Sequence, residues 1–234
     1  MPSLHLPVRL YSPCPFFHVL RGQKRAWLGR RKRRSLSYLS EKWTRESSTN
    51  AIITRGSLIY MDWGVHMMNF GNDMKRTSYV LKDGETQVPG GIQNAFNVAL
   101  GIRKIIRTNI KPGRTGTEIL DDLQSRVRAA GYEIMDIKSF GKPSSGSKTE
   151  VIIGCHSTGN TGHDIGASIV NWQPVRSSYV VGKNEFIVIE FFTWTPVPEW
   201  GGRKVEIPLE DDAIVTDQGA EWLVPPIREI GIIK

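Results

Sequence analysis

Two aspartates, Asp62 and Asp73, lie between flanks that read as the two strands of one hairpin. Residues 57–61 are apolar enough for a buried strand, and residues 76–81 (RTSYVL) resume a strand pattern. Gly64, Asn69, Gly71 and Asn72 supply turn chemistry between them. A carboxylate in a half-buried sheet costs several kcal/mol unless a positive charge meets it, and two aimed at one place also repel each other. A multivalent cation answers both difficulties.

Three further places carry the same kind of chemistry. Residues 155–166 (CHSTGNTGHDIG) embed His156 and His163 in glycine and threonine, where close backbone approach leaves a neighbouring side chain free to point into a cleft. Glu190 interrupts the apolar run 185–194 (EFIVIEFFTW), and Glu210 opens the acidic run Glu210-Asp211-Asp212. Taken singly, each residue has an ordinary alternative. Asp62 or Asp73 could be a turn or ion-pair residue with Arg76 as partner, His163 a satisfied polar group, Glu190 a group on a solvated sheet face, and Glu210 part of a solvated turn. Together, four carboxylates and an imidazole make an oxygen-rich donor set suited to Mn, Co, Fe or Zn, with charge enough for two divalent ions.

The elements that must position these groups follow from periodicity. Ile92, Ala95, Phe96, Ala99, Ile102, Ile105 and Ile106 share one helical face, and Lys111-Pro112-Gly113 ends that helix. A second helix opens on a capping box, Thr115 with Glu118. It buries Ile119, Leu120, Leu123, Val127 and Ala130, and closes at Gly131. Strands are expected over 132–137, 151–154, 185–194 and 209–216, with a loop at 141–149 and turns at 196–202 and 217–219.

Composition sets the bounds. The 234 residues are 39% hydrophobic, enough for one sizeable domain. No apolar run approaches the ~18 residues of a membrane span. Cys14 and Cys155 are far apart and form no disulfide framework, so the cytoplasm is the expected compartment. The net charge of +8 is concentrated in residues 1–40, which hold nine Lys or Arg and no acid, leaving 22 basic against 23 acidic side chains elsewhere. A nucleic-acid partner is therefore not expected beyond this basic segment. Residues 1–45 read as an arm outside the core, and 46–234 as the domain. The arm is open to three readings: an extended, disordered or wrongly assigned start, an organelle-targeting segment, or a polyanion contact.

The ordered set Asp62-Trp63-Gly64, Asp73 with Lys75-Arg76-Thr77, Gly162-His163-Asp164-Ile165-Gly166, Glu190, and Glu210 ahead of DDAIVTDQG resembles the metal-ligand series of the pita-bread metallopeptidases. That superfamily includes methionine aminopeptidase, Xaa-Pro aminopeptidase, prolidase and creatinase. The ending EDDAIVTDQGAEWL, with PVPEWGG before it, is most similar to the Xaa-Pro aminopeptidase-like branch, and the resemblance spans residues 47–234. It implies an α+β pita-bread fold, a curved and mostly antiparallel sheet covered by helices. It also implies two divalent metal ions roughly 3.5 Å apart. Asp73 and Glu210 would bridge them, Asp62 would bind one, and His163 and Glu190 the other. Glu190 would accept or shuttle a proton, and the substrate would be a peptide, Xaa-Pro at its N-terminus.

The sequence departs from the family pattern in two places. Val170 stands where relatives carry a second histidine, so His156, or His66 from the hairpin, is a candidate replacement. The block that normally precedes the first aspartate is short, which implies a fold shortened on its N-terminal side and makes a second copy of the chain, as a homodimer, a candidate cover. Two rival functions remain open: a non-catalytic domain that binds a peptide or protein, and a creatinase-like hydrolase that works without metal.

Overall fold

Alternation along two long strands dictates the architecture. Ile187, Ile189 and Phe191, with Val205, Ile207, Leu209, Ala213 and Val215, are apolar and fully buried, so one face of a sheet must be covered by helices. The intervening positions, Glu190, Glu210 and Asp212 among them, are left for the other face. The computed structural model describes residues 9–10, 35–39, 53–68, 70–159, 162–163 and 166–234; at 9–10, 35–39 and 66–67 it describes the backbone alone.

In chain order the first strands are β1 (Arg9–Leu10), β2 (Ser35–Leu39), β3 (Leu58–Trp63), β4 (Val65–Met67), β5 (Phe70–Gly71) and β6 (Met74–Val80). Helices α1 (Gly90–Asn109) and α2 (Gly116–Ala129) follow, then β7 (Glu133–Ile134), β8 (Glu150–Ile153), β9 (Cys155–Ser157) and β10 (Ser168–Ile169). The short helix α3 (Pro174–Ser177) precedes β11 (Phe186–Pro196), β12 (Lys204–Thr216), β13 (Gly219–Trp222) and β14 (Gly231–Ile233).

The larger sheet runs β10–β9–β11–β12–β13, with β8 also on β11 and β7 parallel to β8. β11 and β12 pair antiparallel over their shared length, which sets Glu190 directly opposite Glu210. The other edge of β11 is divided between β9 and β8, and the break falls at Gly154, whose N–H donates to the Glu190 carbonyl at 2.9 Å. A Cβ at Gly154 would lie 3.3 Å from Glu190 Oε2, so the glycine leaves room for that carboxylate. A four-stranded sheet runs β14–β6–β3–β2 and sets Asp62 directly opposite Lys75, and a three-stranded sheet runs β1–β4–β5. β2, within the segment expected to be an arm, pairs antiparallel with β3, and β1 pairs with β4.

α1 buries the expected face against β11, β12 and β13, with Ile92, Phe96, Ile102 and Ile106 fully enclosed. Each such side chain contributes roughly 1.5–3 kcal/mol by leaving water. Its first turn has no side-chain cap of its own. Instead Glu199, in the 3-10 turn Pro198–Trp200, accepts the Gly91 N–H at 2.7 Å, placing a carboxylate at the helix's positive end. α2 carries the capping box of Thr115 and Glu118, and Gly131 follows it at φ +92. The strand expected over 132–137 is shorter: only Glu133–Ile134 pairs with β8, and the Asp136 side chain accepts the Lys138 N–H at 2.7 Å to start a 3-10 turn. Cys155–Ser157, expected as loop, is strand, because β11 offers it an open edge beyond Gly154.

Candidate metal centre

The seven-stranded and four-stranded sheets meet along a seam between β6 and β12. Strand alternation sends neighbouring residues to opposite sides of that seam. Lys75 meets Glu210 on one side, while Arg76 meets Asp211 on the other, at 2.9 Å. Arg103 of α1 also reaches Asp211, at 3.1 Å, and the Asp73 N–H donates to Asp212 Oδ1 at 3.2 Å. The helix-facing side of the seam is thus closed by arginine. The other side gathers Asp62, Asp73, Glu190 and Glu210, all buried.

Glu190 and Glu210 face each other across β11 and β12, an arrangement of like charges that destabilises a sheet unless cations intervene. Each turns its two oxygens to two different neighbours. Lys75 Nζ donates to Glu190 Oε1 at 2.6 Å and to Glu210 Oε2, and lies 3.3 Å from Asp62 Oδ2. On the other side His156 Nε2 lies 3.6 Å from Glu190 Oε2 and 3.8 Å from Glu210 Oε1. His156 pairs across β9 and β11 with Val188, which puts it on the carboxylate face. The His156 ring stacks on that of His163, with centroids 4.0 Å apart.

The electrostatics follow from burial and these neighbours. Burial, then Glu210 and Asp62, raise the Asp73 carboxyl well above its usual range, and burial also raises Asp62 despite Lys75. Glu210 is pushed up to about 7 by burial and then by Glu190. For Glu190 burial acts upward, but Lys75 and His156 outweigh it and hold the carboxyl below its usual range. Burial alone would lower both Lys75 and His156. The surrounding carboxylates outweigh it, lifting Lys75 well above its usual value and His156 to about 9. His163 is pushed down to about 4 by burial and then by His156.

The residues singled out from the sequence are brought together. Among the described residues, three groups have ligand atoms close enough to share an ion: Asp62, Asp73 and Glu210; His156, Glu190 and Glu210; and Asp73, His156 and His163. Asp73, His156 and Glu210 each belong to two of them. One difference stands out: His156, rather than His163, joins Glu190 and Glu210. The β9 pairing holds His156 on the carboxylate face, whereas His163 follows Gly162 at φ +91 and stacks from beyond. The side chain of His66 lies outside the described residues. Lys75 is the group the sequence did not single out: Asp73 lies just ahead of β6, and it is the pairing of Lys75 with Asp62 across β3 and β6 that fixes its face.

The donor set fits divalent cations. It is rich in carboxylate oxygen with imidazole nitrogen added. His156 Nε2 is buried with no hydrogen-bond partner among the described residues, facing two carboxylate oxygens just beyond hydrogen-bond distance.

Comparison with known proteins bears on the same residues. An X-Pro aminopeptidase from Thermotoga maritima superposes with a TM-score of 0.57 at 18% identity, covering 85% of this chain and 48% of its own. The prolidase from Pyrococcus furiosus gives 0.55 at 17%, covering 91% and 49%, and an Xaa-Pro dipeptidase from Bacillus anthracis 0.53 at 20%, covering 80% and 44%. The chain therefore spans about half the length of these solved structures. A search of curated proteins returns no match. The likeness establishes the α+β pita-bread fold, and a family model described as metallopeptidase family M24 matches residues 38–217, which include Asp62, Asp73, His156, His163, Glu190 and Glu210. The chain belongs to metallopeptidase family M24.

Proposed function

We propose that this chain is a metal-dependent hydrolase that removes the N-terminal residue of peptides, with Xaa-Pro peptides as its substrate class. One observation carries the reading. Two buried glutamates stand directly opposite each other, with Asp62, Asp73 and His156 closed around them, an arrangement whose repulsion is relieved by cations. The superposed proteins, an X-Pro aminopeptidase, a prolidase and an Xaa-Pro dipeptidase, support the substrate class.

In this reading Asp62, Asp73, His163, Glu190 and Glu210 hold divalent ions, Mn, Co, Fe or Zn, and His156 joins them. The two groups that share Glu210 are what a pair of ions would need. Bound there, a divalent ion supplies Lewis-acid polarisation of the peptide carbonyl. The chain's own residues do the rest. The carboxylates of Asp62 and Asp73 attract the positively charged amine at a peptide's N-terminus. Glu190, kept ionised, accepts a proton, and His156, whose Nδ1–H can donate to the Ser157 carbonyl at 3.1 Å, presents Nε2 to the ion.

The test is release of the N-terminal amino acid from Xaa-Pro peptides by chain loaded with Mn or Co, abolished by chelator. Bound metal without turnover refutes the peptidase reading, and turnover insensitive to chelator points to metal-free, creatinase-like hydrolysis. The Lys75 ammonium among the carboxylates favours a second reading, a domain that binds peptides or proteins without cleaving them. Peptide binding by fluorescence anisotropy without hydrolysis supports it.

We further propose that residues 1–45 form an arm, with β2 the part that reaches the domain of residues 46–234, that two copies associate, and that the chain works in the cytoplasm. Light scattering tests the association. No helix among the described residues is long and apolar enough to cross a membrane.

A further inference from the structure

Lys75 alters what the cradle can hold. Its ammonium has three donors, and three carboxylates surround it: Asp62 at 3.3 Å, Glu190 at 2.6 Å, and Glu210. The side chain is buried and its Nζ lies 5.3 Å from the centre of the Phe192 ring, so the charge is enclosed rather than reaching from the surface. Glu190 and Glu210 spend one oxygen each on Lys75 and turn the other toward His156. The cradle thus has two positions for positive charge, one on either side of the glutamate pair. A lysine occupies the first. The second is the gap that His156 Nε2 faces without a hydrogen-bond partner among the described residues.

The geometry points to a centre built for one divalent cation, held by His156, Glu190 and Glu210, with the Lys75 ammonium as the resident cation in the other position. A dication bound to Asp62 and the Lys75-facing oxygens would sit in the place of that ammonium and be repelled by it. The register makes the arrangement hard to avoid, because Asp62 and Lys75 are direct partners across β3 and β6. Lysine therefore does at that pole what a second metal ion would do: it neutralises opposed carboxylates that cannot otherwise be buried together. This inference rests on the metal-binding reading above but not on hydrolysis, and it replaces the pair of ions considered there with one ion and Lys75.

The experiment uses the full chain, stripped with chelator and titrated with Mn²⁺. Calorimetry and elemental analysis read the stoichiometry, and electron paramagnetic resonance reads whether bound ions are isolated or coupled. The unaltered chain is expected to bind one equivalent with the spectrum of an isolated ion. Lys75→Ala is expected to bind two, with a coupled signal, and Lys75→Arg, which keeps the charge, to stay at one. Two tight equivalents in the unaltered chain overturn the inference, as does a folded Lys75→Ala chain that still takes one. If circular dichroism shows that Lys75→Ala does not fold, the unaltered and Lys75→Arg stoichiometries decide. One equivalent without hydrolysis refutes the peptidase reading and supports this inference. Two equivalents with hydrolysis do the reverse, and none overturns both.

Discussion

Replacing Asp211 by alanine tests the seam that holds the candidate site together. Asp211 is fully buried on β12, and its two oxygens accept from Arg76 at 2.9 Å and from Arg103 at 3.1 Å. Its neighbour Glu210 points into the cradle, so the pairs Lys75–Glu210 and Arg76–Asp211 clasp the same two strands from opposite sides. Without Asp211 the Arg103 guanidinium, 9% exposed, is left over the Trp222 ring 5.3 Å away. Removing one member of a buried pair costs about 3–5 kcal/mol, because the other charge stays behind. Arg76, at 27% exposed, recovers some water, which places the expected loss at the lower end, about 3 kcal/mol. At about 2–4 °C per kcal/mol for a chain of this size, the melting temperature should fall by about 6–12 °C. Urea unfolding followed by tryptophan fluorescence measures the loss directly. Combining Asp211→Ala with Arg103→Met removes the stranded charge, so the double variant should lose less than the sum of the singles by about 1–3 kcal/mol. A loss below about 1 kcal/mol for Asp211→Ala, or singles that simply add, refutes the seam as a buried charge lock.

Two further outcomes bear on the metal centre itself. Gly162 has φ +91 and an added Cβ would lie 2.8 Å from the Asn72 carbonyl oxygen, so Gly162→Ala should strain the approach of His163 by about 1–2 kcal/mol and, because the His163 ring stacks on that of His156, weaken Mn²⁺ binding roughly tenfold; unchanged affinity by calorimetry would show that this stack does not support the centre. In the metal-free chain His156 keeps its proton up to about pH 9 and Glu210 up to about pH 7, and a divalent ion needs both groups deprotonated. Affinity should therefore rise with pH through that window and level off above it, with proton release visible as buffer-dependent heats, and a pH-independent affinity would contradict the assignment.

How far the sequence reveals this site depends on which groups are conspicuous by their cost. A carboxylate inside EFIVIEFFTW, or two beside a short apolar hairpin, is expensive enough to demand a partner, and that is why Asp62, Asp73, Glu190 and Glu210 can be picked out before any fold is known. The helices are legible for a similar reason, since a face of Ile, Ala and Phe repeating at 3.6 and a capping box are local signals. What is not local is hidden. Glu199 caps α1 from 108 residues away, and the choice between His156 and His163 turns on an edge strand that exists only because β11 is open beyond Gly154.

Lys75 is hidden most completely. A lysine in a strand next to a turn is ordinary, because most such groups are solvated, and nothing in Lys75-Arg76-Thr77 distinguishes the inward residue from the outward one. The partners that make it unusual, Glu190 and Glu210, are 115 and 135 residues distant in the chain. The negative half of the centre is thus written in residues that are costly where they stand, while the positive half depends on which strand lies beside which. A donor set alone sets how much positive charge the cradle requires. The register of β3, β6, β11 and β12 decides that one part of that charge is already covalently attached.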